Sequence, residues 1–428
     1  MDHALPRLIG EDVQVPCADG RSRRYVNLDY AASTPVMADV WEAVEAFVPW
    51  YSSVHRGTGF KSQVATDAFE DARADVAAFV GARPADDVVF VRNTTEAINV
   101  LAAALPAGTR VLSSPVEHHA NMLPWRQHDA TLLPFTRSTG GLLEVAEQAL
   151  RARRYDLLAV TGASNVTGEV WPIAELAAIA HRFGAKIFVD AAQLAPHRPI
   201  DMAASGVDLL AFSGHKLYAP LGAGALVGRM PADGEPLLHG GGAIKLVTVD
   251  DVVWADAPER FEAGSPNVLG VVALAAACRA LRAVGMDAVA EHERRLATRL
   301  WSGLLDVPGL RTLRLWPDAA DRVGVAAFTV EGWRDEELAA ALSDRYAIGV
   351  RHGCFCAHPL MTRLLGVSDT VAERLYAELR AGGSPELPGA VRASIGLGTT
   401  AADIDLLVGA LYETTLTTHH TTHGVAYG

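Results

Sequence analysis

Only four lysines occur in the chain, Lys61, Lys186, Lys216 and Lys245, and the other basic positions are almost all arginine. Lys216 stands where an apolar run, Val207 to Phe212, breaks into Ser213-Gly214-His215-Lys216-Leu217-Tyr218. A primary amine at the mouth of a sheet can condense with an aldehyde cofactor, which an arginine cannot do. Upstream, Asp190 closes the run Ile187-Phe188-Val189. A carboxylate at the buried end of a strand needs a partner. It reads either as the counter-charge of a protonated ring nitrogen or as an ordinary cap of the next turn. Two strand ends in one sheet would bring Asp190 and Lys216 to the same crevice.

A second group of residues fits a phosphate. Val88 to Val91 reads as a strand, Arg92-Asn93-Thr94-Thr95 as a polar turn and Glu96 to Ala104 as a helix. A helix N-terminus after a hydroxyl-rich turn offers free backbone N–H groups and a positive dipole end. The plainer reading is a threonine N-cap with Glu96 in the first turn. His118, in Glu117-His118-His119-Ala120-Asn121, could stack its ring on an aromatic cofactor, although such a pair also suits a surface or a core.

These residues need a scaffold that gathers strand ends. Short apolar runs alternate with amphipathic segments from about 85 to 230. Asp87 to Val91, Arg110 to Ser113, Asp156 to Val160, Lys186 to Asp190 and Asp208 to Phe212 read as strands. Ile173 to Phe183 reads as a helix that stops at Gly184. Continuous apolar strands between helices predict an α/β fold with a mostly parallel central sheet covered by helices, and ligands collect at the carboxyl ends of such strands. Val271 to Leu305 reads as one long helical stretch. Beyond it, Ala326 to Val330 and Ile348 to Val350 as strands, with Asp335 to Ser343 and Val371 to Leu379 as helices, predict a smaller α+β C-terminal domain.

The expected division is an N-terminal segment, 1–25, packing on the domains, a large domain, 26–285, a small domain, 286–413, and a flexible tail, 414–428. The histidines of that tail could hold a metal, but a frayed end is the simpler reading and no metal site is expected. The net charge of −13 argues against nucleic acid and against an anionic membrane surface as partners. The first residues show no cationic region followed by an apolar stretch, so no secretory leader is expected. Four scattered cysteines are too few for a disulfide framework, which predicts a reducing cytosol. No Gly-x-Gly-x-x-Gly turn follows the first strand, which weighs against a nicotinamide dehydrogenase.

Across nearly its whole length the sequence resembles the class V branch of fold-type I pyridoxal-phosphate enzymes, most closely the SUF-type cysteine desulfurases and selenocysteine lyases. The similar stretches, in the family's order, are Asn27 to Ser33, Val54 to Gly57, Asn93 to Asn99, Glu117 to Asn121, Ser164 to Gly168, Val189 to Gln193, Ser213 to Tyr218, Phe261 to Asn267 and Arg392 to Ser394. The resemblance implies that Lys216 carries pyridoxal 5'-phosphate and shuttles protons, that Asp190 pairs with its pyridine nitrogen, and that Gln193 bonds its ring hydroxyl. It implies that His118 stacks on the ring with a catalytic part, and that Thr94, Thr95, Ser213 and His215 hold the phosphate. Ser265 would reach the phosphate site of a neighbouring subunit, so a homodimer is implied. Asn165, Arg392 and Arg351 would bind the substrate's carboxylate.

Arg351-His352-Gly353-Cys354-Phe355-Cys356-Ala357-His358-Pro359 is similar to the family's sulfur-handling loop, and Cys356 falls on the position of its nucleophile. His352 and His358 could favour the thiolate there; the plainer reading of Cys356 is a small apolar side chain in a loop. The Gly-Cys-Phe-Cys run is also similar to that of molybdenum-cofactor sulfurases. The implied activity is conversion of L-cysteine to L-alanine, with the sulfur parked on Cys356 as a persulfide for an acceptor protein. The alternatives are a C–S lyase, epimerase or aminotransferase reaction of the same class, sulfur transfer of the molybdenum-cofactor-sulfurase kind, or a non-catalytic relay on the same fold.

Overall fold

In the computed structural model, residues 5–317 and 319–417 are described. Seven strands form the central sheet, in the spatial order 87–91, 224–228, 209–213, 186–190, 157–161, 110–113 and 129–132. All run one way except Gly224–Gly228, which is antiparallel to both neighbours. Leu157–Thr161 and Leu209–Ser213 are buried at every position, as continuous apolar strands must be when helices cover both faces. Leu210, Phe212 and Val160 join the core under one face; Ala159, Phe188 and Leu209 join the core under the other.

The five strands expected from the sequence are all present, two of them shifted by one residue toward their carboxyl ends. Asp129–Leu132 and Gly224–Gly228 complete the sheet. The helix after the first strand starts at Thr94 and not at Glu96, because Asn93 is its N-cap and accepts the Glu96 N–H at 3.0 Å. The long stretch expected as one helix is two helices, Val268–Val284 and Met286–Leu305, bent by 78°. Gly285 makes the break at φ +89°, where a side chain would be strained.

A four-stranded antiparallel sheet, in the order 310–313, 325–330, 390–394 and 351–353, carries the second unit. Its core joins Phe328, Val391 and Leu342 to Leu300 and Leu407 of the flanking helices. Near the N-terminus, Ile9 N–H bonds the Val36 carbonyl and Ala18 N–H bonds the Asp344 carbonyl, so this segment touches both units. The last helix, Ala401–Thr417, takes in the first residues of the expected tail; its histidines lie outside the described residues. Among the described residues no single helix is long and apolar enough to cross a membrane.

Candidate active site

The carboxyl ends of the parallel strands open into a cavity of about 320 Å³. Each expected site residue except Ser265 lines it: Thr94, Thr95, His118, Asn165, Asp190, Gln193, Ser213, His215, Lys216, Arg351, Cys356 and Arg392. Ser265 instead lines two outer clefts, one beside Asn267 and one beside His55 and Arg56.

Lys216 ends a single turn, Gly214–Lys216, that leaves the strand Leu209–Ser213. The turn presses against its neighbour: Gly214 N–H bonds the Ala223 carbonyl at 2.7 Å, and a Cβ at Gly214 would lie 2.7 Å from that oxygen. Its other side is held by Thr34, whose N–H donates to the His215 carbonyl at 2.9 Å. Loss of solvent pushes the Lys216 amine down to about 8, against the attraction of Asp190 and with help from the Arg392 charge. A larger fraction is therefore neutral at physiological pH than for an ordinary lysine.

Asp190 is buried at the end of its strand, and its Oδ1 accepts the Ala192 N–H at 3.0 Å. Burial raises its pKa more than that bond and Lys216 lower it, so the ionised form lacks a full counter-charge. Gln193 donates Nε2 to the Ala31 carbonyl at 2.6 Å, and its buried Oε1 has no partner. His118 is held by the Ala120 N–H, which donates to Nδ1 at 3.1 Å. Burial first, then Lys216, push its pKa down to about 4, so the ring is neutral.

Thr94, Thr95 and Ser213 form a polar end to the cavity. The Thr94 N–H donates to Ser213 Oγ at 2.8 Å, and the two hydroxyls are 2.7 Å apart. This cluster sits at the N-terminus of the helix Thr94–Ala104, where the dipole favours an anion. Arg392, which also lines the cavity, is buried, with Nη1 on the Asn165 carbonyl at 2.9 Å and Nη2 on Asp29 Oδ1 at 3.1 Å. Its Nε is buried without a partner. Asp29 also binds Arg351, at 3.0 Å from Nε and 2.9 Å from Nη2. Asp29 is the residue that sequence reasoning passed over: it stands inside a recognised stretch, and only the fold brings it to two arginines.

Cys356 is exposed at the cavity rim on a tight turn, closed by the Ala357 N–H on the Cys354 carbonyl at 3.0 Å. Phe355 and Cys356 both have left-handed backbones, at φ +53° and +55°. For side-chain-bearing residues such geometry costs on the order of 1–3 kcal/mol each and persists only when the surroundings enforce it. The Phe355 ring lies 5.1 Å from the Arg392 guanidinium carbon. The two histidines expected to favour a thiolate are engaged elsewhere. His352 faces Asp335 at 3.4 Å, and the His358 ring stacks on His119.

The residues fit pyridoxal phosphate: a neutralisable amine, a buried carboxylate short of a counter-charge, a bare acceptor at Gln193 and an anion site at a helix N-terminus. The aminotransferase class-V family model matches residues 26–407. The cysteine desulfurase of Dickeya dadantii is 38% identical, with 92% of each chain covered. A probable cysteine desulfurase of Halobacterium salinarum is 36% identical, with 91% of each covered. Among solved structures, the apo cysteine desulfurase from Thermococcus onnurineus superposes with a TM-score of 0.80 at 31% identity, covering 92% of this chain and 95% of that one. The Escherichia coli cysteine desulfurase CsdA, solved as an S-sulfonic acid, gives 0.76 at 32% identity over the same shares. With this match spanning most of its length, the chain belongs to the class V aminotransferase family of enzymes.

Proposed function

We propose that this protein is a pyridoxal-phosphate-dependent cysteine desulfurase that converts L-cysteine to L-alanine and leaves the sulfur on Cys356. The observation that carries this reading is the convergence of Lys216, Asp190, Arg392 and Cys356 on one cavity. Pyridoxal phosphate supplies an aldehyde for amines and a ring that takes up the electron pair released at the substrate's Cα. Asp190 would hold a proton at the ring nitrogen, Gln193 would accept from the ring hydroxyl, and His118 would cover the ring. Thr94, Thr95, Ser213 and His215 would hold the phosphate.

The chain's own groups do the rest. Arg392 and Asn165, with Arg351 near the rim, orient the substrate carboxylate. The Lys216 amine removes the Cα proton and returns protons to the product carbons. Cys356, as thiolate, attacks the substrate sulfur, so the Cβ–S bond breaks as the S–S bond forms. The balance is L-cysteine plus the Cys356 thiol giving L-alanine plus the Cys356 persulfide.

The large unit, 26–285, is read as the cofactor-binding domain and 286–413 as the domain that carries the cysteine turn. A homodimer would cover the exposed Trp50, Tyr51, Phe60, Leu246 and Val253, and would bring Ser265 to a neighbouring site. A reducing cytosol suits four unpaired cysteines, and a sulfur-acceptor protein would discharge the persulfide. Incubation with L-cysteine and analysis of the products tests the reading. Alanine is expected; pyruvate with ammonia, racemised cysteine or consumption of a keto acid would replace it by a sister reaction.

A further inference from the structure

The strained turn that carries Cys356 must be held from outside, and His119, beyond the cavity lining, contributes through its backbone to Cys356 and through its ring to His358. The backbone N–H of His119, which any substitution of the ring keeps, donates to the Cys356 carbonyl at 2.8 Å. The His119 ring stacks on the His358 ring, with centroids 4.9 Å apart and planes 15° from parallel. His119 Nε2 accepts the His358 backbone N–H at 3.2 Å and lies 3.2 Å from His358 Nδ1. His358 begins the helix His358–Leu365, whose N-cap, Ala357, offers no side-chain acceptor. The first N–H groups of a helix have no partner within it. His119 supplies one from a different part of the chain, and so stands in for the missing cap immediately after the left-handed pair Phe355 and Cys356.

We propose that His119 is a positioning residue for sulfur capture: its ring caps the helix His358–Leu365 and thereby keeps the Cys356 turn against the cavity. This rests on the desulfurase reading. His118 faces the cavity and His119 the turn, so adjacent histidines serve the two halves of the reaction. Without the His119 ring the start of the helix is uncapped, and the turn, still tied by the His119 backbone N–H and by Asn165, shifts enough to move the thiol from the substrate sulfur. A displacement of about 1 Å from a reacting atom is enough to slow a step by roughly 10²-fold. Removal of the Cα proton depends on Lys216 and is left intact.

The test compares wild-type holoenzyme with His119→Ala and His119→Gln. Three readouts are taken: cofactor absorbance, exchange of the cysteine Cα proton with deuterated solvent, and the single-turnover rate of persulfide formation on Cys356. In His119→Ala the absorbance and the exchange stay within about twofold of wild type, while persulfide formation slows about tenfold to a hundredfold. His119→Gln, whose amide oxygen can accept the His358 N–H, recovers part of the loss. The rate of Cys356 alkylation by iodoacetamide also changes in His119→Ala, a readout independent of turnover. An unchanged alkylation rate, an unchanged persulfide rate, or exchange and absorbance falling in step with persulfide formation overturns the proposal. Absence of persulfide in wild type, with alkylation still altered by His119→Ala, would instead sink the desulfurase reading and the sulfur-capture role with it, leaving only the hold of His119 on the Cys356 turn.

Discussion

Asn165 joins the carboxylate side of the site to the sulfur side: its Nδ2 donates to the Phe355 carbonyl at 2.7 Å, one peptide before Cys356. Its own carbonyl receives Arg392 Nη1 at 2.9 Å. On the proposed reading, a substrate carboxylate on Arg392 would share this residue with the cysteine turn. Asn165→Ala is expected to lower kcat as well as raise KM. Loss of one such neutral bond, about 1 kcal/mol, corresponds to roughly fivefold, and release of the turn adds to it. Steady-state kinetics with L-cysteine check this; a rise in KM alone would mean that Asn165 does not steady the thiol.

Arg392→Lys keeps the charge and loses the planar fork that spans Asp29 and Asn165. The expected fall in kcat/KM is about tenfold to a hundredfold, the scale of a charge-assisted hydrogen bond. The cofactor absorbance of the resting holoenzyme should not change. Kinetics and spectra on the same preparation separate the two effects.

Asp190→Asn removes the buried counter-charge while keeping the shape and the bond from the Ala192 N–H. Pyridoxal phosphate should still bind through Lys216 and the phosphate site. Turnover should fall by about 10²–10³-fold, as when a preorganised electrostatic partner of the transition state is lost. Solvent exchange of the Cα proton should fall with it, since on the proposed reading Asp190 would act before sulfur capture. Exchange at the wild-type rate would remove Asp190 from the chemistry.

The amine of Lys216 reacts with an aldehyde only when neutral, and burial brings its pKa down to about 8. In cofactor-free protein, the rate of capture of pyridoxal phosphate should rise with pH through about 8 and level off above it. Asp190 attracts the protonated amine and holds that value up. The Asp190→Asn profile should therefore move to lower pH. Rapid-mixing absorbance at a series of pH values reads both midpoints; a midpoint near that of free lysine would contradict the assignment.

Between the two units, His197 Nδ1 and Glu293 Oε1 meet at 2.5 Å, and both side chains are almost wholly buried. Arg198 adds a contact to Glu293 at 3.4 Å and a two-bond pairing with Asp321, at 2.8 and 2.7 Å. Arg198→Met leaves buried Glu293 with less compensation, and breaking such a set costs about 3–5 kcal/mol. Chemical denaturation should show a lower midpoint for this variant, with cofactor absorbance normal in the folded protein.

The strands that end at Asp190 and Ser213 were legible because a strand buried on both faces is written as an unbroken apolar run. Gly224–Gly228 was harder to see, since a short Ala-Leu-Val run between glycines is equally a loop. The break at Gly285 escaped notice because apolar spacing continues through Val284 and Met286 on either side. Residue types pointed to Lys216, Asp190, the Thr94–Thr95 turn and His118, above all to an isolated lysine after an apolar run; the other cavity groups came from the family resemblance. Residue types could not name Asp29, whose partners Arg351 and Arg392 lie more than three hundred positions away. Nor could they reveal the turn at Phe355 and Cys356, because neither residue favours a left-handed backbone.

The most direct check is mass mapping of the cysteine-containing peptides after a single turnover with L-cysteine, alongside the yield of alanine. One extra sulfur atom on Cys356, matched by about one alanine per subunit and absent in Cys356→Ala with its cofactor spectrum intact, is the predicted result. Alanine formed at the native rate by Cys356→Ala, or extra sulfur found only on Cys17, Cys278 or Cys354, would contradict the account.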